Sequence, residues 1–83
     1  MLYEKVVQRT FTMRISYKKL WKLLIDCEMS QSELRVKAGI APNTMTKLRR
    51  NQVVAMNVLI RICSTLKVNI GDIMDLIPEK ESE

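Results

Sequence analysis

The 83-residue sequence has no histidine and contains only two cysteines, two glycines and two prolines. Histidine is the commonest metal ligand and a frequent general base, and two cysteines alone cannot complete a four-ligand zinc site. The sequence also lacks a Gly-rich phosphate loop and a GxSxG nucleophile motif. These absences argue against an enzyme, and we expect neither a metal, a cofactor nor a small-molecule substrate.

Two cysteines do not form the disulfide framework of a small secreted protein. Cys27 and Cys63 fall on apolar phases of predicted helices, which predicts that both are reduced core residues. No segment approaches the roughly 18 apolar residues of a membrane span, and the N-terminus lacks the apolar run of a signal peptide. These features predict a cytoplasmic protein without a membrane partner.

The net charge of +5 is unevenly distributed along the chain. Residues 35–50 carry five Lys and Arg and no acidic residue, whereas residues 79–83 contain three Glu. A basic segment inside a folded domain is typical of a surface that binds phosphate groups. The alternative interpretation is an ordinary solvated helix face.

Apolar residues spaced three and four apart predict five helices within a domain spanning residues 13–78. The first follows Ser16, a candidate N-cap, and the fourth runs from about Met56 to Leu66. Asn69 is the candidate cap of a short fifth helix. Residues 1–12 lack helical periodicity. They are predicted to be an N-terminal arm that is poorly ordered, pairs as a strand in a dimer, or is adventitious. Residues 79–83 are predicted to be an acidic tail.

The second helix has clear signals at both ends. Ser30 and Glu33 match a capping box, in which each residue's side chain binds the other's backbone N–H. Leu34 and Ala38 face inward, and Gly39 supplies the left-handed conformation that ends the helix. The free backbone N–H groups at residues 31–33 are a candidate phosphate site.

The third helix, residues 42–50, begins at Pro42 and turns Met45 and Leu48 inward. Its opposite face is polar and carries Asn43, Lys47 and Arg50, with Thr46 beside them. Amides, hydroxyls and cations can pair with base edges in the major groove of duplex DNA. Two short helices joined by a tight Gly-containing turn therefore predict a helix-turn-helix that binds double-stranded DNA.

The run from Ser30 to Leu48 resembles the helix-turn-helix of the phage repressor and Cro family of transcriptional regulators, also called xenobiotic-response-element-like. The run from Leu59 to Met74 resembles the fourth and fifth helices of that family. The resemblance implies an all-α fold: a compact five-helix, lambda-repressor-like DNA-binding domain with an extended N-terminal arm. It also implies a homodimer on palindromic operator DNA, a repressor role and association with the nucleoid.

The resemblance also implies site residues by their positions in the motif. The residues at or beside the bases are Pro42, Asn43, Thr44 and Lys47. The expected phosphate contacts are Gln31, Ser32, Thr46, Arg50 and Asn51. Three departures from the family pattern stand out. Arg35 replaces a usual Ala, Ala41 replaces a capping Ser or Thr, and Pro42 offers no polar group to a base.

A second function remains open at this point: a protein-interaction module, antitoxin-like or anti-repressor-like, with a degenerate helix-turn-helix. Several valines lie off the main apolar stripes and suggest an exposed patch that could serve dimerisation: Val36, Val53, Val54 and Val58. RNA binding ranks third, because aromatic residues are too few for a stacking surface.

Overall fold

The computed structural model describes residues 12–79 of the chain. Along the chain lie strand β1 (Met13–Ser16), helices α1 (Lys18–Asp26), α2 (Gln31–Ala38), α3 (Pro42–Arg49) and α4 (Met56–Leu66), a one-turn 3₁₀ helix (Ile70–Asp72) and strand β2 (Asp75–Pro78). Within this range, no helix has the length and apolar character needed to cross a membrane.

The predicted all-α fold with five helices is wrong in two respects. The fifth helix is only the three-residue 3₁₀ turn. Asn69 occupies its N-cap position, where its backbone N–H donates to Asp72 Oδ2 at 3.0 Å. Gly71 inside this turn disfavours a longer helix. The chain then becomes extended, because the segment after the turn pairs with the segment before α1.

The two strands form an antiparallel sheet in which Ile15 pairs with Leu76 and Arg14 with Ile77. The Glu79 N–H also donates to the Thr12 carbonyl oxygen at 2.8 Å, so the ladder extends one residue past each strand. The predicted arm falls almost wholly on residues 1–11, and these lie outside the described residues, as do residues 80–83 of the acidic tail.

One hydrophobic core joins all four helices and the 3₁₀ turn. Its fully buried side chains are Tyr17, Leu20, Leu34, Met45, Leu48, Ile62 and Ile73. Val58, predicted to be a candidate for the exposed patch, is buried here as well. Cys63 is partly buried, but Cys27 is exposed, which contradicts its predicted place in the core. The reason is that α1 ends at Asp26, so Cys27 lies in the turn beyond the apolar stripe.

Tyr17 connects the end of α3 to the start of α1 through two hydrogen bonds. Its backbone N–H donates to Asn51 Oδ1 at 2.9 Å, and its hydroxyl donates to the Gln52 carbonyl oxygen at 2.8 Å. The side chain is fully buried, and this burial raises the pKa of Tyr17, so the phenol stays a donor. Asn51 has a φ of 58°, a left-handed conformation that Asn tolerates better than most residues.

Tyr17→Phe is expected to lower the free energy of unfolding by about 1 kcal/mol, because the partly buried hydrogen bond to the Gln52 carbonyl oxygen is lost while the ring packing stays. Urea denaturation followed by circular dichroism measures this difference. A midpoint equal to that of the wild type would show that water replaces the hydroxyl without cost.

The capping box predicted for α2 is present. The Glu33 N–H donates to Ser30 Oγ at 3.0 Å, and the Ser30 N–H donates to Glu33 Oε1 at 2.8 Å. The pKa of Glu33 is lower than its ordinary value of 4.5, mainly because its carboxylate accepts a hydrogen bond from the Ser30 backbone N–H. The Ser30 hydroxyl and the positive charge of Lys37 lower this pKa further. The ionised carboxylate therefore stabilises the start of α2.

Because the pKa of Glu33 is lower in the folded state, its ionisation contributes stability above a pH of about 4.5, and this contribution is lost as the pH falls through the folded pKa. Glu33→Gln keeps an acceptor for the Ser30 N–H but removes the charge. We expect the wild type to have the higher urea midpoint near neutral pH and this advantage to disappear on acidification. Parallel pH profiles for the two proteins would contradict the assignment.

Candidate nucleic-acid interface

The turn between α2 and α3 is held by two arginines. Gly39 ends α2 with a φ of 68°, as the sequence predicts. Arg61 of α4 donates from Nη1 to the Gly39 carbonyl oxygen at 3.1 Å, and Arg35 of α2 donates from Nη1 to the Ile40 carbonyl oxygen at 3.3 Å. Arg35, the departure from the family pattern, therefore lies partly buried against the turn. These bonds fix the carbonyl groups that connect the two helices.

α3 presents a polar face to solvent because its apolar pair faces the core. Met45 and Leu48 are buried, whereas Asn43 and Lys47 on the opposite side are exposed. Neither of these two side chains has a hydrogen bond or ion pair within residues 12–79. Both side chains are therefore exposed and not engaged by the described part of the chain.

The other predicted residues of α3 are placed differently. Pro42 occupies the first turn and is exposed, and Thr44 lies at the half-buried edge of the helix. Thr46 is also half-buried, and its hydroxyl donates to the Pro42 carbonyl oxygen at 3.2 Å. Ala41 forms no side-chain cap, as expected from its methyl group. Among the predicted residues at positions 42–50, the exposed ones are thus Pro42, Asn43, Lys47 and Arg50, and Thr44 and Thr46 are half-buried.

The start of α2 lies across a cleft from α3. Gln31 Oε1 accepts a hydrogen bond from Arg49 Nη1 at 3.2 Å, which ties the two helices together at this edge. Ser32 is exposed beside it and lines the same cleft. Of the three N–H groups predicted to be free, that of Glu33 is occupied by Ser30, which leaves those of Gln31 and Ser32.

The end of α3 carries Arg50, the exposed C-cap residue, followed by Asn51. Both were predicted to approach phosphate. Asn51 has a second role that the sequence pattern did not reveal, because its side-chain oxygen accepts the Tyr17 N–H. Its amide nitrogen is the atom left for any external contact.

A basic groove, lined mainly by Arg14, Lys18, Lys22 and Arg49, lies between β1, α1 and the end of α3. The groove is also lined by uncharged residues and one acid: Ser16, Trp21, Asn51, Asp75 and Ile77. Lys19 also borders it, but its ammonium group is engaged at 3.1 Å with Asp75 and at 3.0 Å with the Gly71 carbonyl oxygen. Positively charged side chains from β1, α1 and α3 therefore lie together in one groove beside the helix-turn-helix.

Arg14 and Arg61 are two residues to which the sequence analysis gave no role. No motif marked either residue, because their roles depend on contacts between distant segments. The sequence could have indicated Arg14, because apolar and polar residues alternate at Met13, Arg14 and Ile15, a pattern typical of a strand with one polar face. Within residues 12–79, no three His, Cys, Asp or Glu side chains lie together in a way that could hold a metal ion.

Comparison with known proteins identifies the family to which the helix-turn-helix belongs. Residues 19–79 match the family model of the Cro/C1-type helix-turn-helix DNA-binding domain. The structure is also similar to the crystal structure of the transcriptional regulator VanUg, with 48% sequence identity and a TM-score of 0.78. That match covers 81% of this chain and 89% of the other. A search of curated proteins found no match.

The family match spans the capping box, the glycine turn, α3 and the 3₁₀ turn, and the similar regulator is nearly half identical in sequence. The resemblance inferred from the sequence is therefore confirmed, and double-stranded DNA is the partner that the family implies. This chain belongs to the family of Cro/C1-type helix-turn-helix DNA-binding domains.

Proposed function

We propose that the protein is a sequence-specific transcriptional regulator that places α3 in the major groove of duplex DNA. The observation that carries this proposal is the exposed pair Asn43 and Lys47 on a helix whose turn is fixed by two arginines. An amide pairs best with adenine and an ammonium group with guanine. Pro42 and Thr44 lie beside this pair and would add apolar and hydroxyl contacts to the bases.

Phosphate contacts would position α3 on the duplex. The Gln31 and Ser32 N–H groups at the start of α2 suit one phosphate, favoured by the helix dipole. Arg50 and the amide nitrogen of Asn51 suit a second phosphate at the end of α3. Thr46, whose hydroxyl is partly exposed, is the remaining proposed contact.

The proposed regulatory action is repression by a homodimer. Two copies related by a two-fold axis bind half-sites about one helical turn apart, and occupancy of a promoter blocks transcription without any further activity. This action would take place on the nucleoid in the cytoplasm. The single polar pair on α3 suggests modest sequence discrimination, since each well-formed base contact contributes about 1–3 kcal/mol.

Asn43→Ala combined with Lys47→Ala is expected to weaken binding to the duplex upstream of the protein's own coding region at least about tenfold, because both proposed base contacts are removed. Binding to a scrambled duplex should change much less. Fluorescence anisotropy with labelled duplexes at fixed salt measures both affinities.

The matched control for this experiment is Asn57→Ala combined with Lys67→Ala, which removes the same two residue types from α4 and its C-terminal end. This control should bind both duplexes almost as the wild type does. Equal loss in the two double variants would show that net charge, not the α3 face, determines binding. No duplex binding by the wild type at low salt would instead favour the protein-interaction module.

The basic groove is proposed to hold the phosphate backbone beside the helix-turn-helix. Lys18→Gln combined with Lys22→Gln should reduce the slope of log K against log salt by about 1–2, since each phosphate contact contributes about 0.9. Lys37→Gln combined with Lys67→Gln removes the same charge outside the groove and should leave the slope almost unchanged. The same slope in both variants would remove the groove from the DNA contact surface.

A further inference from the structure

The connection between α2 and α3 contains one glycine, and this glycine is its most adaptable point. Gly39 has a φ of 68° and a ψ of 45°, and α3 begins soon after it, at Pro42. A glycine backbone changes conformation at less steric cost than that of any residue with a Cβ atom. Rotation about the ψ bond of Gly39 would turn α3 relative to α2, and with it the side chains of Asn43 and Lys47.

The peptide group that follows Gly39 is held from two sides. Its N–H, which belongs to Ile40, donates to the Arg35 carbonyl oxygen of α2 at 2.9 Å. Its oxygen, which belongs to Gly39, accepts a hydrogen bond at 3.1 Å from Nη1 of Arg61, a residue of α4 that lies 22 positions later in the chain. Because a peptide group is planar, bonds at opposite edges fix its rotation, whereas one bond alone leaves it free to pivot. Arg61 therefore restrains the ψ of Gly39 from a different helix.

The guanidinium of Arg61 is itself fixed to α4. Its Nε donates to the carbonyl oxygen of Asn57, one turn earlier in the same helix, at 3.4 Å. The N–H groups of a guanidinium lie in one plane at fixed angles, so these two bonds define its orientation between α4 and the turn. A lysine at this position would offer a compact charge on a flexible stem, without that fixed orientation.

Arg35 holds the next carbonyl group, that of Ile40, but in a different way. Arg35 belongs to α2, so its bond of 3.3 Å stays within α2 and the turn that follows this helix. Ile40 is buried and has a Cβ atom, which already restricts its backbone. Of the two arginines, Arg61 is thus the one that connects the turn to another helix, and it does so at the glycine.

The charge of Arg61 also suits this position. Gly39 is the C-cap of α2, the end at which the helix dipole places partial negative charge. Arg61 lines neither the basic groove nor the cleft between α2 and α3, the two parts of the surface for which phosphate contacts are proposed. Its contact in the structure is with the turn.

We propose that Arg61 is a positioning residue for base recognition: its guanidinium holds the ψ of Gly39 and thereby the direction in which α3 presents Asn43 and Lys47. This inference rests on the proposed function, because it requires that these two side chains read duplex DNA. Arg61 acts through the turn and touches no base. Its loss therefore lowers the preference for the cognate sequence and leaves the phosphate contacts in place.

The test compares Arg61→Gln with the wild type by fluorescence anisotropy, on the duplex upstream of the protein's own coding region and on a scrambled duplex. We expect the ratio of the two affinities to fall about fivefold, the lower end of what one well-formed base contact contributes. The affinity for the scrambled duplex and the slope of log K against log salt should change little. Arg61→Lys keeps the charge without the fixed orientation and should lose the preference as Arg61→Gln does.

Lys67→Gln is the matched control, because it removes one positive charge at the C-terminal end of α4 and should keep the wild-type ratio. NMR relaxation of the backbone amides gives a readout that does not depend on DNA. The order parameter of the Ile40 N–H, which shares the peptide plane of the Gly39 carbonyl, should fall in both Arg61 variants and stay unchanged in the control. Circular dichroism verifies that each variant is folded, and since Arg61 is exposed, loss of the fold is not expected.

An unchanged ratio in both Arg61 variants, or an unchanged order parameter at Ile40, overturns the proposal. An equal loss of affinity for both duplexes, with a salt slope lower by about 0.9, would make Arg61 a phosphate contact instead. The wild-type ratio in Arg61→Lys would show that the charge suffices without the guanidinium geometry. A wild type that binds both duplexes equally would contradict the proposed function itself, whereas a wild type that discriminates alongside Arg61 variants that discriminate equally well would contradict this inference alone.

Discussion

The arrangement of the domain depends on the two hydrogen bonds made by Tyr17, one from its backbone N–H and one from its hydroxyl. Tyr17 is fully buried and donates to Asn51 Oδ1 and to the Gln52 carbonyl oxygen. These two acceptors lie 34 and 35 positions after it in the chain, so the bonds join distant segments. The loop after α3 is thereby held against the point where β1 leads into α1. Without this connection, α3 would be fixed by the turn at its beginning, by its two buried apolar residues and by the hydrogen bond from Arg49 to Gln31. The polar face of α3 keeps its direction because both ends of the helix are attached to the rest of the molecule.

The short sheet gives the domain its two different sides. It has only four residues in each strand, yet its register decides which side chains share a face. Arg14 projects with Ile77 toward the basic groove, whereas Ile15 and Leu76 project from the other face of the sheet, toward the apolar groove that Val53 and Met56 also line. A shift of one residue in the register would exchange these faces and place the charge of Arg14 on the apolar side. The Lys19–Asp75 ion pair, at 3.1 Å, connects α1 to β2, and the Glu79–Thr12 bond extends the same register.

Local signals explain which parts of this structure were predictable. Ser30, Glu33, Gly39 and Pro42 act through backbone groups within a few residues of themselves, and the helices they delimit were found as predicted. The inward pair of α3 followed from helical periodicity in the same way. The sheet was missed because each strand has only four residues and its partner lies about 60 positions away, too far for any local pattern to register.

The same limit applies to the site. Helical periodicity was enough to predict that Asn43 and Lys47 lie on the outer face of α3. The hydrogen bonds between Tyr17 and Asn51 and between Arg35 and the turn could not be predicted, because they join residues that only the folded structure brings together. Cys27 was misassigned for a related reason. Periodicity places it on the apolar stripe, but it cannot show that the helix ends one residue earlier.

Arg61 connects α4 to the helix-turn-helix. Its guanidinium binds the Gly39 carbonyl oxygen in the turn that sets the angle between α2 and α3, and Arg35 binds the next carbonyl oxygen, that of Ile40. In the proposed dimer, the two copies of α3 would have to match half-sites whose spacing is set by the helical repeat of DNA. A turn held by two arginines would therefore help the dimer to select operators by spacing as well as by sequence.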